Sequence, residues 1–252
     1  MYRYLHLQNS CLRRRLAFCI PLLLLGSEWI SSATPAQSNP VPRIAQEAAQ
    51  LMPRSFRGLL PKYSLNLEIG INKFPCQLYL KGQGRMALEQ RLLAKLEGTA
   101  NILRTRPKFS LVMEELGSLA EMVLLLNLPE LEEPARENLL SMKTGLEINS
   151  PSFRLVVYDS NELGPGLDSV KELLLGIRSR RVLLTRRYKE FFFDKSSLDL
   201  TIPLDPKSPP FGILSLVYSH SVNDLARLWL WIWREANGDL AGSPLVAGSN
   251  QN

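Results

Sequence analysis

A chain of 252 residues with 45% hydrophobic and 21% charged side chains has the make-up of an ordinary globular protein. Its formal charge of +6 and pI of 9.3 overstate its basicity, since four of the 30 basic and only one of the 24 acidic residues lie in the first 33 positions, leaving +3 for the rest. That surplus excludes a case for a nucleic-acid partner on charge, and three cysteines, two of them in the same opening segment, exclude a disulfide framework.

Residues 1–33 read as a secretory signal. Arg3 and Arg13 to Arg15 supply the positive region, and Leu16 to Gly26 is an apolar stretch shorter than the ~20 residues a bilayer span needs. Small residues place cleavage after residue 33 or 36. The expected plan is then a short linker over 34–41, one helical domain over 42–238 and a disordered tail over 239–252. Export puts the domain in a secreted or periplasmic compartment.

In chain order, Pro42 to Leu51 and Arg54 to Leu60 are expected as short helices split by Pro53, followed by Tyr63 to Ile71 and a loop from Phe74 to Gly84. Met86 to Arg104 carries apolar residues at Leu88, Leu92 and Leu96, and Phe109 to Asn127 carries them at Val112, Leu116, Leu119, Val123 and Leu126, both at helical spacing. Phe153 to Tyr158 is the best strand candidate, without a partner strand. Asp168 to Phe193 predicts a long helix with Arg181 anomalously on its apolar face. Prolines break the stretch Lys195 to Phe211. A last helix is expected from Ser221, with Ser221 to Asp224 as a capping box, to Gly238. The fold class is all-α.

Beyond the signal the chain keeps one histidine, His220, and one cysteine, Cys76. His220 and Asp224 have the i, i+4 spacing of a ligand pair, but the capping box puts His220 outside the helix and gives Asp224 a place near its positive end, which is the better reading. Glu114, Glu115 and Glu121 could include a general acid, against the plainer reading of a solvated face. Arg178, Arg180, Arg181, Arg186, Arg187 and Lys189 scatter around the helix axis and read as solvated charges rather than a phosphate or headgroup stripe. Trp229 and Trp233 share a face and are expected in the core.

Three blocks together resemble one family. Leu51 to Ile71, Phe109 to Pro129 and Phe211 to Gly238, the last with the pattern Asn223-Asp224-Leu225-Ala226-Arg227-Leu228-Trp229, are similar to bacterial proteins of the zinc-dependent phospholipase C / S1-P1 nuclease superfamily. The resemblance implies a secreted multi-helix bundle holding zinc ions that activate water against phosphodiesters. It also implies metal ligands at three positions of the second block, where this chain has Glu121, Leu125 and Leu131. The family's ligand histidine ahead of the first helix is replaced by Pro42-Arg43, and its aspartate is missing around Ile71-Asn72. Leucine at ligand positions packs as core, so the expectation is a metal-free relative with a binding or accessory role and no cofactor. The alternative is a phosphodiester hydrolase with an altered zinc site around Glu121, His220 and Asp224. The residues do not name a partner. A membrane surface or lipid is open to the chain but unsupported.

Overall fold

Long runs of Leu, Ala and Met at helical spacing dominate the chain, and helices are what form. The computed structural model describes residues 39–73, 84–105, 108–129, 136–158, 163–187 and 199–246. Among these residues there are eight α-helices and no strand: α1 (Val41–Gln50), α2 (Arg54–Arg57), α3 (Leu60–Lys73), α4 (Gly84–Arg104), α5 (Phe109–Asn127), α6 (Arg136–Asn149), α7 (Leu167–Arg187) and α8 (Pro209–Glu235). The expected all-α class holds. No described helix is long and apolar enough to cross a membrane. The expected signal, the loop with Cys76 and residues 188–193 of the long helix lie outside the described residues.

α5 keeps its expected bounds. It is apolar on nearly every side, so it sits at the centre of the bundle with α8. It stops because Leu128 precedes Pro129, whose ring disfavours helical backbone before it, and Leu128 is extended (φ −66°, ψ 142°). α3 crosses α5 antiparallel with backbone against backbone. A Cβ on Gly70 would lie 2.0 Å from the Glu114 carbonyl oxygen, and one on Gly117 would lie 2.1 Å from that of Leu67. Two glycines thus set the approach of these helices.

α8 corrects the sequence reading. It begins at Pro209, twelve residues before Ser221, because Pro209 and Pro210 occupy its first positions, where a missing N–H costs nothing, and Ser208 accepts from the Phe211 N–H at 3.4 Å. Ser221 is no cap: it is buried mid-helix and donates to the Val217 carbonyl at 2.8 Å. At the other end Asn237, not Gly238, takes the left-handed conformation (φ 59°) that ends the helix, and the Gly238 N–H then reaches back to the Trp233 carbonyl.

The polar residues in the middle of α8 serve the extended segment 153–158, which pairs with no strand. Ser219 Oγ accepts from the Val156 N–H at 3.4 Å, Asn223 Oδ1 accepts from Tyr158 N–H at 3.1 Å, and Asn223 Nδ2 donates to the Val156 carbonyl at 2.8 Å. Side chains of a helix stand in for the missing partner strand. Residues 239–246, expected to be disordered, are packed instead: Leu245 joins the core and buried Ser243 donates to the Leu51 carbonyl at 2.8 Å.

Candidate functional site

The positions that would hold metal in the resembling family come first. Glu121 lies on α5, buried with Lys143 of α6, and their charged atoms are 2.8 Å apart. Lys143 comes from a helix that the sequence reading did not anticipate. Leu125, one turn on, is buried in the core, and Leu131 lies outside the described residues. Arg43, where the family would place a histidine nearby, is in an i, i+4 pair with Glu47 at 3.4 Å. An ammonium-capped carboxylate, a core leucine and an arginine are not a zinc donor set. Among the described residues no three His, Cys, Asp or Glu side chains group as a metal site.

A second polar cluster gathers where α5, α7 and α8 meet. Asp224, buried in the middle of α8, accepts from Arg180 Nη2 of α7 at 2.6 Å and from Asn127 Nδ2 at the end of α5 at 3.1 Å. Burial pushes its carboxyl pKa up, while Arg180 and Asn127 pull it back. One turn earlier, His220 stacks on the Tyr158 ring, with centroids 4.7 Å apart and planes 17° from parallel. Burial, reinforced by the Arg180 charge, lowers its pKa to about 4, so the imidazole is neutral near pH 7. Burial raises the Tyr158 pKa, with Arg180 opposing and Asp224 adding. Arg227 lies one turn beyond Asp224. Burial lowers its pKa, Asp224 opposes this and the Arg180 charge adds to it.

The cap assignments for His220 and Asp224 are therefore wrong, because both sit inside a helix that starts earlier. The structure places His220 and Asp224 in one cluster and leaves Glu121 apart from it, tied to Lys143. The basic residues of α7 are also not simply solvated. Arg178 pairs with Glu89 at 2.5 Å, Arg180 with Asp224, and Arg181 is buried and donates to the Leu126 carbonyl at 3.3 Å. The Arg181 anomaly noted in the sequence thus has a cause: it meets the carboxyl end of α5, where carbonyls lack helical partners.

Glu114 accepts from Lys73 and from Asn66 at 3.1 Å across the α3–α5 crossing. These bonds lower its pKa, the reverse of what a general acid needs. Trp229 and Trp231 are buried, and the indole N–H groups of Trp229, Trp231 and Trp233 donate to the carbonyls of Leu116, Gly166 and Asp239. The sequence reading missed the roles of Arg180, Asn127 and Tyr158. The one available signal for Arg180 was an arginine beside the anomalous Arg181.

Between α7 and α8 lies a hollow of about 250 Å³, walled in part by Gly164, Ser169, Glu172, Gly176, Arg180 and Arg227. Arg180 faces both this hollow and Asp224. Among the described residues the geometry is all-helical, with a buried Glu121–Lys143 pair in one place and a hollow walled in part by two arginines in another. No family model, no curated protein and no solved structure matches the chain.

Proposed function

We propose that the chain is an exported helical binding domain, built on the plan of the zinc-dependent phospholipase C / P1 nuclease superfamily, that works without metal and without hydrolysis. The observation that carries this reading is the buried Glu121–Lys143 pair. A zinc ion in such a bundle polarises water and keeps an open coordination position for it. Lys143 supplies one positive charge to Glu121 and offers neither. Buried Leu125 adds hydrocarbon on the same helix, where a ligand would be needed.

The test is metal analysis of the purified chain together with turnover of a chromogenic phosphodiester in added Zn²⁺, Ca²⁺ or Mn²⁺. The expected outcome is metal well below one equivalent and no turnover under any of the three. Stoichiometric zinc accompanied by hydrolysis would overturn the reading in favour of an altered phosphodiesterase. Export is tested by sequencing the mature N-terminus, which should begin at residue 34 or 37.

A further inference from the structure

We propose that the extended segment 153–158 is an edge strand through which two copies of this chain pair antiparallel about a two-fold axis. This goes beyond the binding role proposed above, and it uses neither the Glu121–Lys143 pair nor the hollow.

One edge of the segment is already taken. Phe153 leaves the preceding turn with extended backbone (φ −73°, ψ 138°), and the N–H groups of Val156 and Tyr158 donate to Ser219 and Asn223 of α8. Two residues of strand advance about 6.6 Å and four residues of helix about 6 Å, so alternate strand residues keep step with successive turns of α8. In extended chain, successive residues turn their main-chain groups to opposite edges. The N–H and C=O of Leu155 and Val157 therefore face away from α8, and among the described residues nothing hydrogen-bonds to them.

The side chains there are as open as the main chain. Val156 is 50% exposed and Val157 43%, while Phe153 and Leu155 hold the segment against the core. Natural proteins guard an open edge with proline or charge, and Leu155 to Tyr158 carry neither. A row of main-chain donors and acceptors flanked by exposed β-branched residues is satisfied in series only by another extended backbone.

The residues themselves point to a second copy. With Val156 opposite the second copy's Val156, each Leu155 stands opposite a Val157 and exchanges both main-chain bonds with it, about four bonds in all. The central cross-strand pairs are then aliphatic on aliphatic. At each end the exposed Arg154 comes opposite the second copy's Tyr158, a cation beside a ring that its stack on His220 already holds in place. The two-fold axis makes the contact self-complementary, so it closes at a dimer and leaves no edge for a third chain.

The experiment measures the mass of the purified chain by sedimentation equilibrium. The apparent mass should rise from one chain towards two between about 10 μM and 1 mM, as suits a contact below standard interface size. Val157→Pro removes an N–H from the open edge while the bonds to α8 stay, and Val156→Lys sets two ammonium groups against each other on an intact main chain. Each should abolish the rise and leave the thermal unfolding of the dilute chain unchanged. The register is tested with the three native cysteines replaced by serine. Val156→Cys should then form an interchain disulfide on mild oxidation, since Cα atoms of such a pair lie about 4.5 Å apart. Val157→Cys, roughly 8 Å from its equivalent, should not. A chain that stays single over the whole range overturns the proposal, even if the edge accepts some other extended peptide. A rise that survives in both folded variants, or a disulfide at 157 and not at 156, overturns it too. Zinc and phosphodiester assays report on Glu121, so either reading can fail without the other.

Discussion

Two buried carboxylates in this molecule meet opposite company. Glu121 faces Lys143, one charge against one, with both side chains almost wholly buried. Asp224 faces Arg180 at 2.6 Å with Arg227 a turn away, and Arg180 is about one-third exposed at the edge of a hollow. The first arrangement is closed on itself and leaves nothing for a ligand to do. The second lies beside a hollow that Arg180 and Arg227 help to wall. A pair buried on both sides serves the core alone, whereas one with its arginine partly exposed stays in contact with solvent.

The comparison is broken most severely at the closed pair. Lys143→Met leaves Glu121 buried and alone, and should cost about 3–5 kcal/mol in denaturant unfolding. Adding Glu121→Leu to the same chain should restore most of the loss, since a well-packed apolar pair commonly replaces a buried ion pair without penalty. If the single variant unfolds like the parent, the pair is not a core element.

At the open cluster the same operation should be milder. Asp224→Asn removes the partner carboxylate but leaves Arg180 partly solvated and Asn127 still within reach, so the expected loss is about 1–3 kcal/mol. A loss equal to that of Lys143→Met would erase the distinction between the two regions.

Acid sharpens the contrast further. His220 has its pKa lowered from 6.5 to about 4, so between these values the unfolded chain binds more protons than the folded one. Stability therefore falls as pH drops from about 6.5 towards 4. His220→Gln should flatten that part of the pH profile in equilibrium unfolding, whereas Glu121→Leu/Lys143→Met should leave it in place. A His220→Gln profile that keeps the slope would show that the imidazole is not held neutral by its surroundings. The smallest effect belongs to Arg227→Gln. It removes charge from the hollow without breaking the Arg180–Asp224 pair, and its stability should stay within about 1 kcal/mol of the parent.

Much of the scaffold was legible from residue spacing. Phe109 to Asn127 was read with its observed bounds because an apolar run followed by Leu128-Pro129 carries both its period and its stop. α8 was misread for a specific reason. Ser219, Ser221, Asn223 and Asp224 look like a helix start, since polar side chains favour caps. They lie mid-helix, where Ser219 and Asn223 serve the segment 153–158, Asp224 serves Arg180 and Ser221 bonds back to the Val217 carbonyl. α6 was not anticipated, and with it went the partner of Glu121.

The candidate site was legible only as a list of polar residues. His220 and Asp224 stood out by spacing and Arg181 by its place on an apolar face, but nothing local shows that Arg180 on α7 reaches a buried carboxylate. Periodicity reports which face of a helix avoids water, and it settled the all-helical class. The pairing of buried charge belongs to tertiary structure alone: Lys143 lies 22 residues from Glu121, Arg180 lies 44 from Asp224 and Asn127 lies 97 from it. Electrostatic partners are chosen by distance in space, and only packed helices bring such distant residues within hydrogen-bond reach.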